Sequence, residues 1–216
     1  MTSCCHVDVA DRHFGSEMAQ RDAEAYLKNG VDPLSRALLD LIGEQPIERA
    51  TLLDIGGGVG VLGRELLGER VDAVTMVDES TAYLAVAREQ ARGDGTADRY
   101  RFIAGDVVAA RDEVGCADLA TLHRVVCCYP DYRALLDATL ATGVRWVALT
   151  YPRDRWYVRA GAAFENLRRR FRGNPFRTFV HAEGGITERL EAAGFRRVSD
   201  AGTLFWTCEL WAAADS

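Results

Sequence analysis

The residues best placed to do chemistry are an acid and a set of glycines in the run Leu52-Leu53-Asp54-Ile55-Gly56-Gly57-Gly58-Val59-Gly60. An apolar strand stops at Asp54 and enters a loop with glycine at every second position, and Val61 to Leu67 then reads as a helix. Glycine lets a backbone turn sharply while a ligand lies against it, and the helix N-terminus that follows offers free N–H groups. The pattern predicts a site for a nucleotide-type cofactor. Two acids further along have the same setting. Val74-Thr75-Met76-Val77-Asp78 and Phe102-Ile103-Ala104-Gly105-Asp106 are apolar runs that each end in a carboxylate.

Two cofactors compete for these glycines. Gly58-Val59-Gly60-Val61-Leu62-Gly63 fits the G-x-G-x-x-G dinucleotide fingerprint, with Asp78 about 20 residues on for a ribose contact. That reading gives an NAD(P)-dependent reductase. Asp54-x-Gly56-x-Gly58-x-Gly60, followed by Asp78, by Gly105-Asp106 and by the strand Asp118–Val126 leading into Cys127-Cys128-Tyr129-Pro130, resembles class I S-adenosylmethionine methyltransferases from about Thr51 to Pro152. Within them, His123 to Asp131 is similar to a bacterial group related to magnesium-protoporphyrin O-methyltransferase, in which aspartate more often stands at the position of His123.

The resemblance implies a Rossmann-like, doubly wound, seven-stranded and mostly parallel sheet with an antiparallel C-terminal strand. It also implies S-adenosyl-L-methionine as cofactor. Asp54 would organise its amino-acid end, and Gly56, Gly58 and Gly60 would allow close approach. Asp78 would accept from both ribose hydroxyls, with Glu79 beside it. Asp106 would accept from the adenine amine and the Val107 N–H would serve a ring nitrogen. Tyr26 and Gly30, ahead of the core, would close over the cofactor. A helix N-cap is the alternative role for each acid, and a surface cap for Gly30.

Methyl transfer is an in-line displacement, so a protein mainly aligns the reacting atoms and excludes water. A hydroxyl acceptor is helped by a base, whereas a carboxylate or thiolate needs none. His123, at the end of the fourth strand, is the first candidate for a base or orienting donor, and His181 the second. A structural histidine is the alternative for His123. Tyr129, Tyr151, Arg153, Trp156 and Arg159 form the expected acceptor side. They border a segment, Arg153 to Arg177, in which eight arginines face two acids, a local charge of +6 in a chain of −6. Trp156, Tyr157, Phe164, Leu167 and Phe171 interleave with them. Such a mixture suits an anionic, partly aromatic metabolite, a docking contact with an anionic membrane surface, or a solvated helix whose apolar side packs on the core. O-methylation is the favoured outcome.

The elements that must position these residues are legible as an alternation. Helices are predicted at Ser16–Lys28, closed by Asn29-Gly30, and from Asp32-Pro33 to Ile42. Strands follow at 51–55, 73–77, 100–103, 119–122 and 146–150, separated by helices at 61–67, 81–92 (Ser80 as N-cap) and 131–140. A helix at 186–193 and strands at 195–200 and 204–212 complete the chain. The expected division is one methyltransferase domain. Residues 1–48 form a helical lid, 49–152 the cofactor core and 153–182 an arginine-rich substrate-side insertion, with a helix and strand pair at 183–216.

Composition narrows the class. With 48% apolar residues the 216-residue chain can bury one good core. No apolar run approaches the roughly 18 residues of a membrane span, Met1 to Arg12 show no signal-peptide pattern, and a net charge of −6 argues against general nucleic-acid binding. The expectation is a soluble cytoplasmic protein with a small-molecule acceptor and at most a peripheral membrane contact. Lys28 is the single lysine, so a catalytic lysine of the short-chain reductase kind is missing. Cys4, Cys5, Cys127 and Cys128 raise a thiol or metalloid methyltransferase, but no C-x-x-C spacing is present and no metal site is expected. A cofactor-binding partner protein without catalysis is the remaining reading.

Overall fold

A computed structural model describes residues 13–214. These residues form a seven-stranded sheet in the order β3-β2-β1-β4-β5-β7-β6. The strands are β1 Ala50–Ile55, β2 Val71–Asp78, β3 Tyr100–Ala104, β4 Leu119–His123, β5 Trp146–Pro152, β6 Phe195–Gly202 and β7 Trp206–Ala213. The first five run parallel, and β7 pairs antiparallel with both β5 and β6. Strand order reverses between β1 and β4, which opens a crevice at their C-terminal ends.

Side chains that alternate along each strand sort into two cores. Leu52, Leu119 and Ala148 join one cluster, under the helices α2 (Pro33–Gly43), α3 (Val61–Leu66) and α4 (Thr81–Gly93). Leu53, Ala120 and Leu149 join the other, with Leu135 and Leu136 of α6 (Tyr132–Leu140) and Ile186 and Leu190 of α8 (Glu183–Ala192). All seven residues of β5 are buried, as expected for a strand covered on both faces. The short helix α5 (Arg111–Val114) lies between β3 and β4, and α7 (Trp156–Phe171) follows β5. No helix among the described residues is long and apolar enough to cross a membrane.

Local chemistry sets the starts of the helices near the crevice. Asp32 caps α2 by accepting from the Leu34 and Ser35 N–H groups, and Pro33 occupies the first turn. Ser80 caps α4 by accepting from the Tyr83 N–H at 3.2 Å. Ahead of the sheet, α1 (Ser16–Asn29) ends at Gly30 and packs Ala19 and Ala23 against Val59 and Tyr83.

The chain departs from the sequence expectation in three places. The last strand begins at Trp206 rather than Leu204, because Thr203 Oγ1 accepts from the Phe205 and Trp206 N–H groups and holds 203–205 as a turn. The helix expected from Ile186 begins a turn earlier, at Glu183, through Gly184-Gly185. A Cβ on Gly185 would run into the Tyr132 hydroxyl, so its absence lets α8 approach α6. The third departure is α7. None of its residues is buried, so its apolar side does not pack on the core.

Candidate active site

The crevice at the strand ends is a cavity of about 870 Å³ roofed by α1. That volume is within the range of small-molecule and cofactor sites. Asp54 in β1 is almost fully buried; its Oδ1 accepts from the Thr121 hydroxyl at 2.7 Å and its Oδ2 has no partner. Burial, aided by the nearby Asp78, pushes the Asp54 carboxyl up to about 7. The glycine loop wraps this group closely. A Cβ on Gly57 would lie 2.4 Å from Asp54 Oδ2, and one on Gly56, at φ +60°, would lie 2.4 Å from Val125 Cγ2. Only glycine fits at both.

Asp78 ends β2 and accepts from the Ser80 N–H at 2.8 Å and the Gly58 N–H at 3.0 Å, so it ties the glycine loop to the next helix. Glu79 beside it is partly buried, and its Oε1 also has no partner. Burial together with Asp106 and Asp78 raises its carboxyl to about 8. Asp106, beyond β3, accepts from the Val108 N–H at 2.9 Å and from the Tyr129 hydroxyl at 2.7 and 2.8 Å. Val107 lines the same wall.

At the β4 end the residues come from four elements. His123 Nε2 is 3.0 Å from Ser35 Oγ and its Nδ1 is 3.1 Å from Thr150 Oγ1. The Ser35 hydroxyl donates to Asp32 Oδ2 at 2.5 Å, so its oxygen is left to accept from His123 Nε2–H. The Thr150 oxygen accepts from the Arg124 N–H at 2.9 Å and its hydroxyl donates to Nδ1. Both ring nitrogens are therefore engaged within the protein. Burial, with Arg124 adding to it, lowers the imidazole to about 4, so His123 is neutral at physiological pH. Arg124 has φ +60° and pairs with Asp32 at 2.7 Å. A non-glycine residue held in the left-handed region costs on the order of 1 kcal/mol and is concentrated at functional sites.

Of the residues singled out from sequence, Tyr26, Gly30, Asp54, Gly56, Gly58, Asp78, Glu79, Asp106, Val107, His123 and Tyr129 line this cavity. Gly60 does not; it caps α3. The Tyr26 hydroxyl is committed to Glu65 at 2.7 Å. His181 is placed elsewhere. Its Nε2 donates to the Val126 and Tyr129 carbonyls at 3.1 and 2.9 Å and its ring lies beside Tyr132 and Phe179, which makes it a staple of the loop after β4. The expected acceptor group is not assembled either. Tyr151 is buried in the sheet, with its hydroxyl on Glu209. Arg153 leans on the Trp206 carbonyl, Trp156 is 80% exposed, and Arg159 is paired with Asp154. β5 lies between β4 and β7, one strand beyond the β1–β4 crevice, and its last residues Tyr151 and Pro152 pair with Thr207 and Trp206 of β7.

Sequence reasoning missed Asp32, Ser35, Arg124 and Phe176 as cavity residues. Asp32 and Ser35 read only as a helix start. Nothing in their spacing announces a partner 88 positions away. Cys127 and Cys128 both donate to the Arg124 carbonyl, and their sulfurs are 3.8 Å apart. Cys4 and Cys5 lie outside the described residues. Among the described residues no cluster of three or more His, Cys, Asp or Glu side chains could hold a metal ion.

The charge of the cavity is one-sided. Among the described residues, Asp22, Asp32, Asp54, Asp78, Glu79 and Asp106 line it against the single cation Arg124. A sulfonium cofactor with an ammonium tail and two ribose hydroxyls supplies cations and donors to such walls. A dinucleotide would bring a pyrophosphate against these acids. The two orphaned oxygens, on Asp54 and Glu79, fit the first and oppose the second, whereas the glycine cradle would serve either.

Known proteins point the same way. Residues 19–119 match the family model of the methyltransferase small domain. Magnesium protoporphyrin IX methyltransferase from Synechocystis PCC 6803, with bound S-adenosylhomocysteine, superposes with a TM-score of 0.73 at 16% identity, over 95% of this chain and 99% of that one. An O-methyltransferase family protein from Burkholderia thailandensis gives 0.70 at 18% identity, over 95% of this chain and 63% of that one. The 4+2 cyclase SpnF gives 0.62 at 14% identity, over 83% of each chain. No curated protein matches the sequence. The fold is that of the class I methyltransferases, and residues 19–119 carry the match to the methyltransferase small domain. The same Synechocystis enzyme with bound S-adenosylmethionine superposes with a TM-score of 0.65 at 17% identity.

Proposed function

We propose that this chain transfers a methyl group from S-adenosylmethionine to a small-molecule acceptor, with oxygen as the acceptor atom. The observation that carries the reading is the acid-lined cavity at the β1–β4 switch point, with two buried carboxylate oxygens that lack partners. The similarity to the Synechocystis enzyme supports the fold of this reading and leaves the acceptor to chemistry.

The cofactor, when bound, supplies an electrophilic methyl on a positive sulfur. The protein's share is placement. Asp54 and the glycine loop hold the amino-acid end, Asp78 and Glu79 take the ribose, and Asp106 with the Val107 N–H takes the adenine. Tyr129, through its bonds to Asp106, belongs to this end rather than to the acceptor. The acceptor end is the β4 side, between Ser35, His123, Arg124 and Cys128. His123 acts there by orienting Ser35 and by fixing the loop at Arg124, since both of its nitrogens are already bonded. Arg124 is the cation that meets an acceptor carboxylate or phenolate, once its partner Asp32 shares it. Such an acceptor arrives ionised and needs no base. The described part of the N-terminal segment, up to residue 48, roofs the cavity, 49–152 carry the cofactor, and the whole acts as one domain in the cytoplasm.

Calorimetric titration with S-adenosylhomocysteine and, in parallel, NADH tests the reading. Micromolar binding of the first with no heat from the second is expected. A response to NADH alone overturns it. A following screen of carboxylate and phenolate acceptors for cofactor turnover tests the oxygen assignment.

A further inference from the structure

The helix α7 is built inside out. Its polar side is fastened to the protein: Asn166 exchanges two 2.8 Å bonds with the backbone of Thr178, and Arg169 donates to Thr178 Oγ1 and lies over the Phe176 ring. Its apolar side faces away. Trp156, Ala160, Phe164, Leu167 and Phe171 recur at steps of four, four, three and four, which is one stripe on a helix. Trp156, Phe164 and Phe171 are 70–81% exposed. The stripe continues onto the turn between β6 and β7, where Leu204 and Phe205 are exposed and where Tyr157 is bonded to the Leu204 carbonyl and packed on the Phe205 ring.

Scattered exposed apolar residues are ordinary, but a continuous aromatic stripe on a helix with no buried residue marks an interaction surface. Its surroundings select the partner. Residues 155–172 hold six arginines against Glu165 alone, +5 in a chain of −6. Two copies meeting at this face would set these charges against each other. A Trp/Phe/Leu stripe bordered by arginines instead matches the interface of an anionic bilayer, where rings enter the headgroup boundary and guanidiniums meet lipid phosphates. The acidic remainder of the chain is repelled from the same surface and orients the protein on it.

We infer that α7 and the β6–β7 turn form a docking face for an anionic lipid membrane. This assignment stands apart from the methyl-transfer reading, since no cavity residue belongs to the stripe.

The test is co-sedimentation of the full chain with phosphatidylcholine vesicles and with vesicles containing about 30% phosphatidylglycerol. Partition onto the anionic vesicles is expected, with at least tenfold less onto the neutral ones. Raising salt to about 0.5 M should release it. Phe164→Ser with Phe171→Ser should lower partition at least tenfold. Arg168→Gln with Arg170→Gln should lower it about thirtyfold, at roughly 1 kcal/mol per arginine. Melting temperatures show that the variants fold. Absence of partition, equal partition by the variants, or equal binding to neutral vesicles overturns the inference. So does sedimentation velocity showing a dimer that Phe164→Ser separates, which would make a second copy the occupant.

Discussion

Gly56→Ala puts a methyl into a place already taken. The new Cβ would lie 2.4 Å from Val125 Cγ2 and 3.6 Å from Val125 Cβ, and the backbone there has φ +60°. Two costs follow. The left-handed conformation costs an alanine about 1–2 kcal/mol more than a glycine. The overlap costs about 1–3 kcal/mol, since Val125 precedes the short helical turn 126–128 and packs against the core. The sum, about 2–5 kcal/mol, should appear as lost unfolding free energy in urea. S-adenosylhomocysteine affinity should fall too, because the loop that moves is the one proposed to cradle the cofactor. The two costs are separable. Val125→Ala removes the atom that is struck and leaves φ unchanged, so Gly56→Ala/Val125→Ala should recover the overlap but not the conformational part. The double-mutant cycle should then show a favourable coupling of about 1–3 kcal/mol. If the two changes add to within about 0.5 kcal/mol, the close approach of β1 and the β4 loop is not what holds position 56 to glycine.

Other expectations concern the acids and the histidine. Asp78→Ala should weaken S-adenosylhomocysteine binding by about 1–3 kcal/mol in calorimetry, since it strands two ribose hydroxyls; unchanged affinity would show the ribose held elsewhere. Glu79, raised to about 8, is protonated at pH 7 in the free protein, and ribose donors favour its ionised form. Binding should release a proton, read as a buffer-dependent enthalpy that Glu79→Gln abolishes; identical heats in two buffers would refute it. The same raised values destabilise the free protein as pH rises. Unfolded carboxyls lose their protons near 4, whereas Asp54 and Glu79 keep theirs to about 7 and 8, so stability should decline from pH 4 to 8 and less steeply in Glu79→Gln. His123→Ala should lower turnover and leave cofactor affinity intact; a loss of affinity alone would place it in the cofactor shell.

The strands were legible because each is a run of alternating or continuously apolar residues whose two faces feed two cores, and the acids that end β1, β2 and β3 stood out at their C-termini. The antiparallel pair was legible for the same reason, although Leu204 looked like strand until Thr203 drew its neighbours into a turn. The cofactor side could be read as a line because its members come in chain order from successive strands. The acceptor side could not. His123, Ser35, Asp32 and Thr150 meet only through tertiary packing, and Tyr151 and Arg153 are held beside β7, by strand pairing and by the Trp206 carbonyl, rather than over the crevice. Periodicity likewise gave α7 its stripe but not its direction, since a helix facing inward and one facing outward have the same 3.6-residue repeat.

The roof over the cavity has a consequence for time rather than for affinity. The helix α1 and Phe14 just ahead of it hold on through three hydrogen bonds to elements that line the same cavity: the Tyr83 hydroxyl to Asp22, the Tyr26 hydroxyl to Glu65, and the Ser80 hydroxyl to the Phe14 carbonyl. The apolar footing of α1 is modest: Ala19, Ala23 and the partly buried Met18, against Val59, Tyr83 and the partly buried Val61, Ala82 and Val86. Contents that leave past α1 must part those clasps first, so the lifting of α1 would pace their exchange as an escapement does. On the proposed function, three hydrogen bonds would then time each turnover.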